Sequence, residues 1–221
     1  MPRAHIASLA RRKATMDVKT QIGQEIEASI AVKQRLAADC AGPIAEAAAI
    51  IVRRLREGSK LIVFGNGGSA SDAQHIAAEF VGRYEADRKA LAAIALTTDT
   101  SALTAISNDY GFAEVFARQV QALVKPGDVA LAISTSGNSE NVLRGAAAAR
   151  QLGAFTVGLT GRTGGNLATS VDLCICVPSD VTSRIQESHI LIGHIISKIA
   201  ESSLREAEKA APAVRTRRPG K

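Results

Sequence analysis

Beyond residue 58 the chain alternates short apolar runs with longer stretches of helical periodicity. Runs at 61–64, 91–96, 129–133, 155–159 and 173–177 read as strands, and 70–84, 100–107, 112–123, 139–152 and 181–204 read as helices. Apolar runs with so few polar interruptions suit strands buried on both faces, and their alternation with helices implies βαβ units and a parallel sheet. Five such strands suit a doubly wound, flavodoxin-like sheet of order 2-1-3-4-5, in which ligands bind at the carboxyl ends of the neighbouring first and third strands. Ahead of the sheet, apolar residues recur at helical spacing over 18–36 and 43–57, with Gly42-Pro43 as the break and Pro43 suited to a first helical position. The expectation is an α/β fold, one domain over residues 18–205 with an N-terminal helical extension.

Composition supports a single core. With 221 residues, 46% hydrophobic, 3% aromatic and no Trp, the interior must be built from Ala, Val, Ile and Leu. The net charge of +6 belongs to the ends, because residues 1–19 carry +4 and residues 206–221 carry +3, leaving the body at −1. Segments 1–17 and 206–221 are therefore expected to be solvated, disordered tails, and no specific nucleic-acid partner is expected. Met16 is a candidate alternative start. Cys40, Cys174 and Cys176 lack a metal-type CxxC spacing and fit a reducing, cytoplasmic setting. No run approaches the ~20 apolar residues that span a bilayer, so no membrane partner is expected.

Two loops follow the first and third strands. In the second, Ser134, Thr135, Ser136 and Ser139 supply four hydroxyls where a helix begins, and hydroxyls with free helix N–H groups satisfy phosphate oxygens without Lys or metal. Helix capping and turn formation explain one or two of these hydroxyls, and four exceed that need. In the first loop, Gly65, Gly67 and Gly68 permit close backbone approach, and Asn66 offers an amide to a hydroxyl-rich ligand. Gly65-x-Gly67-x-x-Ala70 also meets a relaxed dinucleotide fingerprint. The acid that reading requires would be Glu85 or Asp87, before the second strand instead of at its end, which argues against it.

His75 and Glu79 stand at i, i+4 on the helix leaving the first loop, a pair that is also common on plain surface helices. A set of His75, Glu79, Gln186 and His194 would suit a borderline metal such as zinc. Gln186 and His194 are eight residues apart, about 12 Å along a helix, so they share one metal only by leaning together or by coming from different subunits.

These runs, with Asn108-Asp109-Tyr110-Gly111 and Arg184-Ile185-Gln186-Glu187, resemble the phosphoheptose isomerases, bacterial SIS-domain enzymes, over residues 18–204. The resemblance implies a single SIS domain acting on sedoheptulose 7-phosphate to make D-glycero-D-manno-heptose 7-phosphate, at the start of nucleotide-activated heptose synthesis for surface polysaccharide. It implies a cytoplasmic homotetramer with one Zn2+ per subunit held by His75, Glu79, Gln186 and His194. Glu79 and His194 match the catalytic pair. Asn66, Gly67, Gly68, Glu79, Asn108, Asp109, Ser134, Thr135, Ser136, Ser139 and Gln186 match substrate contacts, with Arg83 a further candidate. Ser183 stands where some members carry Asp, so a proton-transfer role for that Asp has no carrier here. The rivals are a non-catalytic SIS protein that binds a phosphosugar or the replication initiator, and an SIS protein for a hexose or amino-sugar phosphate. The non-catalytic subgroup lacks the acid and histidine at the positions of Glu79 and His194.

Overall fold

A computed structural model describes residues 17–210, so most of both basic tails, and the expectation of disorder there, lies outside the described residues. Five parallel strands, β1 (Leu61–Gly65), β2 (Ala93–Ala95), β3 (Val129–Ile133), β4 (Phe155–Thr160) and β5 (Leu173–Cys176), form one sheet of order β2-β1-β3-β4-β5. This is the expected topology, with the switch point between β1 and β3. Every residue of those two strands is buried, and their side chains alternate between two apolar cores. Leu61, Val63, Leu131 and Ile133 face one core, and Ile62, Phe64, Ala130 and Ala132 face the other.

The first core is roofed by α1 (Val18–Asp39), α2 (Ala41–Arg56), α3 (Gly68–Val81) and α8 (Thr182–Ala210). The second is covered by α5 (Val115–Leu123), α6 (Glu140–Gln151) and α7 (Leu167–Ser170), with α4 (Thr100–Tyr110) partly packed at its rim. Some boundaries differ from expectation. α1 and α2 part at Cys40, and Gly42-Pro43 lies inside the first turn of α2. Proline is tolerated there because the first N–H groups of a helix have no intrahelical acceptor, and the first bond is made by Ile44 to the Cys40 carbonyl. α3 stops at Val81, short of the expected 84, and α8 runs past the expected boundary at 205. The four-residue α7 is too short to leave a periodic signal.

His189 lies fully buried on α8, its Nε2 3.2 Å from the Thr160 carbonyl and its Nδ1 without a partner. Burial lowers its pKa from 6.5 to about 4, against a smaller opposing effect of the Thr160 bond. The unfolded chain therefore takes up the proton first. Stability from this group is intact above pH 6.5 and declines as pH falls toward 4, by up to about 3 kcal/mol. Melting curves across that interval are expected to show a steeper acid loss for the native chain than for His189→Gln; parallel curves would remove His189 from the acid response.

Candidate active site

The loop after β3 is built around a constrained glycine. Gly137 has φ +66°, and a Cβ there would stand 1.9 Å from the Gly164 carbonyl oxygen, so residues 134–139 rest directly on the loop after β4. Asn138 Oδ1 reinforces the contact by accepting from the Asn166 N–H at 2.9 Å. Ser139 is the N-cap residue of α6, yet its hydroxyl makes no capping bond and instead lies 3.0 Å from Ser134 Oγ. The capping explanation for this hydroxyl is not realised. Ser134 and Ser139 face each other beside the N-terminus of α6, where the Val142 N–H is taken by Asn141 Oδ1 and the N–H groups of Glu140 and Asn141 have no intrahelical acceptor. A cavity of about 320 Å³ adjoins this loop, lined by Thr135, Ser136 and Asn138 together with Arg162, Ser179 and Thr182.

The loop after β1 is tied to the second loop by a residue that sequence reading missed. Asn66 and Asn141 exchange side-chain amide hydrogen bonds of 2.8 and 2.9 Å across the switch point, and Asn141 is buried on the first turn of α6. Asn66 keeps one N–H and one lone pair for a ligand. The available signal was an Asn between Glu140 and Val142, a weak one at a helix start. Gln186 also borders the first loop: its Nε2 would lie 2.4 Å from a Cβ at Gly68.

The titratable groups converge farther along α3. His75 Nε2 lies 3.0 Å from Glu79 Oε1 and 3.1 Å from His194 Nε2, and the three side chains offer ligand atoms within 4.8 Å of one another. A ring nitrogen has a single in-plane position for a proton or lone pair, so His75 Nε2 cannot serve both neighbours by hydrogen bonding alone. Two imidazoles and a carboxylate aimed at one point suit a divalent cation, with room for further ligands. Gln186 stands apart from this trio within one chain, two turns back along α8 at the mouth of the first loop. Asp72, a turn before His75, is half-buried with Oδ2 unpartnered; burial raises its pKa to about 6, with His75 opposing.

Asn108 and Asp109 are exposed at the end of α4 and bond to each other at 2.8 Å; among the described residues neither bonds to the two loops. Arg83 is exposed just beyond α3. Tyr84, not singled out from sequence, sets its ring 5.7 Å from that of His194.

The SIS domain model matches residues 26–161. A phosphoheptose isomerase of Roseiflexus sp. (strain RS-1) is 57% identical over 182 residues, covering 82% of this chain and 92% of that protein. A solved phosphoheptose isomerase structure from Neisseria gonorrhoeae superposes with TM-score 0.80 at 44% identity, covering 84% of this chain and 99% of the other. One from Francisella tularensis gives TM-score 0.82 at 39% identity, covering 85% and 100%.

Gly137→Ala is expected to cost roughly 2–4 kcal/mol, from left-handed backbone strain plus collision with Gly164. It should also weaken capture of a phosphorylated ligand. Denaturant titration and a phosphosugar binding isotherm check both effects, and a variant matching the native protein in each would remove Gly137 as the support of the loop.

Proposed function

The chain belongs to the phosphoheptose isomerase family of SIS-domain proteins, and on that premise we propose how its residues divide the reaction. The activity is aldose–ketose isomerisation of sedoheptulose 7-phosphate to D-glycero-D-manno-heptose 7-phosphate, which feeds heptose biosynthesis. The reaction exchanges a proton between C1 and C2 through an enediol and moves another between O1 and O2, so product and substrate balance atom for atom. Glu79 is the base that removes the C1 proton and delivers it to C2. His194 relays the proton between the sugar oxygens. The carrying observation is the convergence of Glu79 and His194, with His75, on one point of the α3–α8 surface.

The reacting carbons lie at the opposite end of the sugar from the phosphate, so the phosphate seat and the chemistry must be separate. Ser134, Thr135, Ser136 and Ser139 seat the phosphate. Asn66, Gly67, Gly68 and Gln186 border the sugar, and Asn108, Asp109 and Arg83 are assigned as further sugar contacts. His75 lies about 10 Å along α3 from Gly68, which separates the trio from the loops. His75, Glu79 and His194 would hold one zinc per subunit, which when bound supplies Lewis acidity toward the sugar carbonyl. Gln186, at the mouth of the first loop, would join that metal by leaning along α8 or as a ligand from a neighbouring subunit.

We assign the active form as a homotetramer. Val18, Ile22, Ile26 and Ile30 form a stripe on α1 exposed by 67, 54, 55 and 50%, more apolar surface in one line than a lone chain needs. A groove lined by Leu36, Ile44, Leu191, Ile195 and Ile199 offers a complementary surface. No helix among the described residues is long and apolar enough to cross a membrane. We place the enzyme in the cytoplasm, where its phosphorylated substrate and free thiols belong. The domain is assigned to residues 18–205, with 1–17 and 206–221 as appendages. The non-catalytic reading is disfavoured because Glu79 and His194 occupy the trio itself.

Glu79→Gln and His194→Gln are each expected to lower turnover of sedoheptulose 7-phosphate by about a thousandfold or more while leaving a folded oligomer. NMR identification of the product, alongside circular dichroism, is the measurement; activity surviving either change would sink the catalytic pair. Metal analysis of protein purified without chelators should find stoichiometric zinc. Full activity after exhaustive chelation would reduce the metal to a bystander.

A further inference from the structure

Glu201 and Arg88 form a buried polar pair that the isomerase mechanism leaves without a role. The Glu201 side chain is 5% exposed and that of Arg88 2%, and Arg88 Nε lies 3.3 Å from Glu201 Oε2. Such a pair is costly to bury, and breaking a native one leaves an uncompensated charge. What it holds is specific. Glu201 accepts three consecutive backbone N–H groups, from Tyr84 at 3.0 Å, Glu85 at 3.0 Å and Ala86 at 2.8 Å. Its desolvation is outweighed by those bonds and by Arg88, so its pKa lies below the ordinary carboxylate value. Arg88 turns its guanidinium to the end of α3, donating to the carbonyls of Glu79 at 2.6 Å and Phe80 at 2.9 Å. These are carbonyls that the helix end cannot pair for itself.

Both ends of this clasp meet the proposed catalytic pair. On α3, Arg88 grips the backbone of Glu79 itself. On α8, Glu201 lies two turns beyond His194, on the same side of the helix. The loop it secures begins with Tyr84, whose ring stands 5.7 Å from the His194 ring at an interplanar angle of 46°. A tilted aromatic contact of this kind restrains an imidazole that is otherwise only partly buried.

We infer that Glu201 and Arg88 are positioning residues for isomerisation: by fixing the loop after α3 they hold Tyr84 against His194 and steady the backbone of Glu79. The inference rests on the catalytic assignment of Glu79 and His194. Tyr84 acts through its ring face on the imidazole, so its hydroxyl is dispensable.

The test is steady-state kinetics with sedoheptulose 7-phosphate on the full-length oligomer for Tyr84→Leu, Tyr84→Phe, Glu201→Gln and the double variant Glu201→Gln/Tyr84→Leu. Tyr84→Leu and Glu201→Gln should each lower kcat by about tenfold or more, with KM changed by less than about twofold, as expected for misplaced groups with intact binding. Tyr84→Phe should retain native kcat. The double variant should be no slower than the slower single one, because both changes remove the same contact. Native kcat in Tyr84→Leu or Glu201→Gln, multiplicative losses, or a loss confined to KM would each overturn the inference. Should Glu201→Gln fail to fold, Arg88→Lys, which keeps the charge but withdraws the fork from the α3 carbonyls, takes its place under the same criteria. His194→Gln is measured in parallel. An active His194→Gln variant removes the catalytic assignment and this inference with it, whereas an inactive one beside native kcat in Tyr84→Leu and Glu201→Gln removes the inference alone.

Discussion

The close approach of α3 and α8 is the constraint on which the reactive centre depends. A Cβ added at Gly193 would stand 2.5 Å from Ile76 Cγ1, so the two helices touch at a distance only glycine permits. His194 follows Gly193 in sequence and His75 precedes Ile76. The dry contact inside thus sets the spacing of the two imidazoles at the rim, where their ring centroids lie 5.0 Å apart. A larger residue at 193 would separate the helices and with them the ligand atoms. Packing in the apolar core and geometry in the polar site are here one fact seen from two sides.

The sheet was legible from sequence because β1 and β3 bury both faces, which leaves unbroken apolar runs such as Leu61-Ile62-Val63-Phe64. Sheet order and loop placement followed from βαβ connectivity. The helix ends were less legible. Pro43 was read as a first-turn marker at the break itself, whereas the break is at Cys40, because proline costs no hydrogen bond anywhere in that turn. The stop of α3 at Val81 is enforced partly by Arg88, an arginine from the following loop that a local reading has no means to place.

Among the site residues, those whose partners lie nearby in sequence were recoverable: His75 with Glu79, and Ser134 with Ser139. Of the long-range pairings, His194 with His75 was legible from the ligand set and the family resemblance, and others were not. Asn141 meets Asn66 across 75 positions, and Tyr84 meets His194 only because two helices and a loop fold together. The eight-residue interval between Gln186 and His194 left open whether one metal could take both, by leaning together or from different subunits. Within one chain the first borders the glycine loop and the second joins the trio.

The anion seat and the reactive centre use opposite electrostatic strategies. The body of the chain carries almost no net charge, and the proposed phosphate loop contains neither Lys nor Arg, so the loop's own attraction comes from oriented hydroxyl and amide dipoles, with Arg162 across the adjoining cavity. Such dipoles are fixed by backbone geometry, which is why Gly137 is pressed onto Gly164 and why Asn138 and Asn66 are each held by a partner. At the trio, by contrast, three lone-pair donors point at one another, and no arrangement of protons satisfies His75 Nε2 toward both neighbours. Donors pre-aimed in this way are costly unless a cation or a substrate proton enters between them. The proposed phosphate seat thus lies at the strand ends and the proposed reactive trio two helical turns away, an arrangement that suits a substrate whose phosphate and reacting carbonyl lie at its two ends.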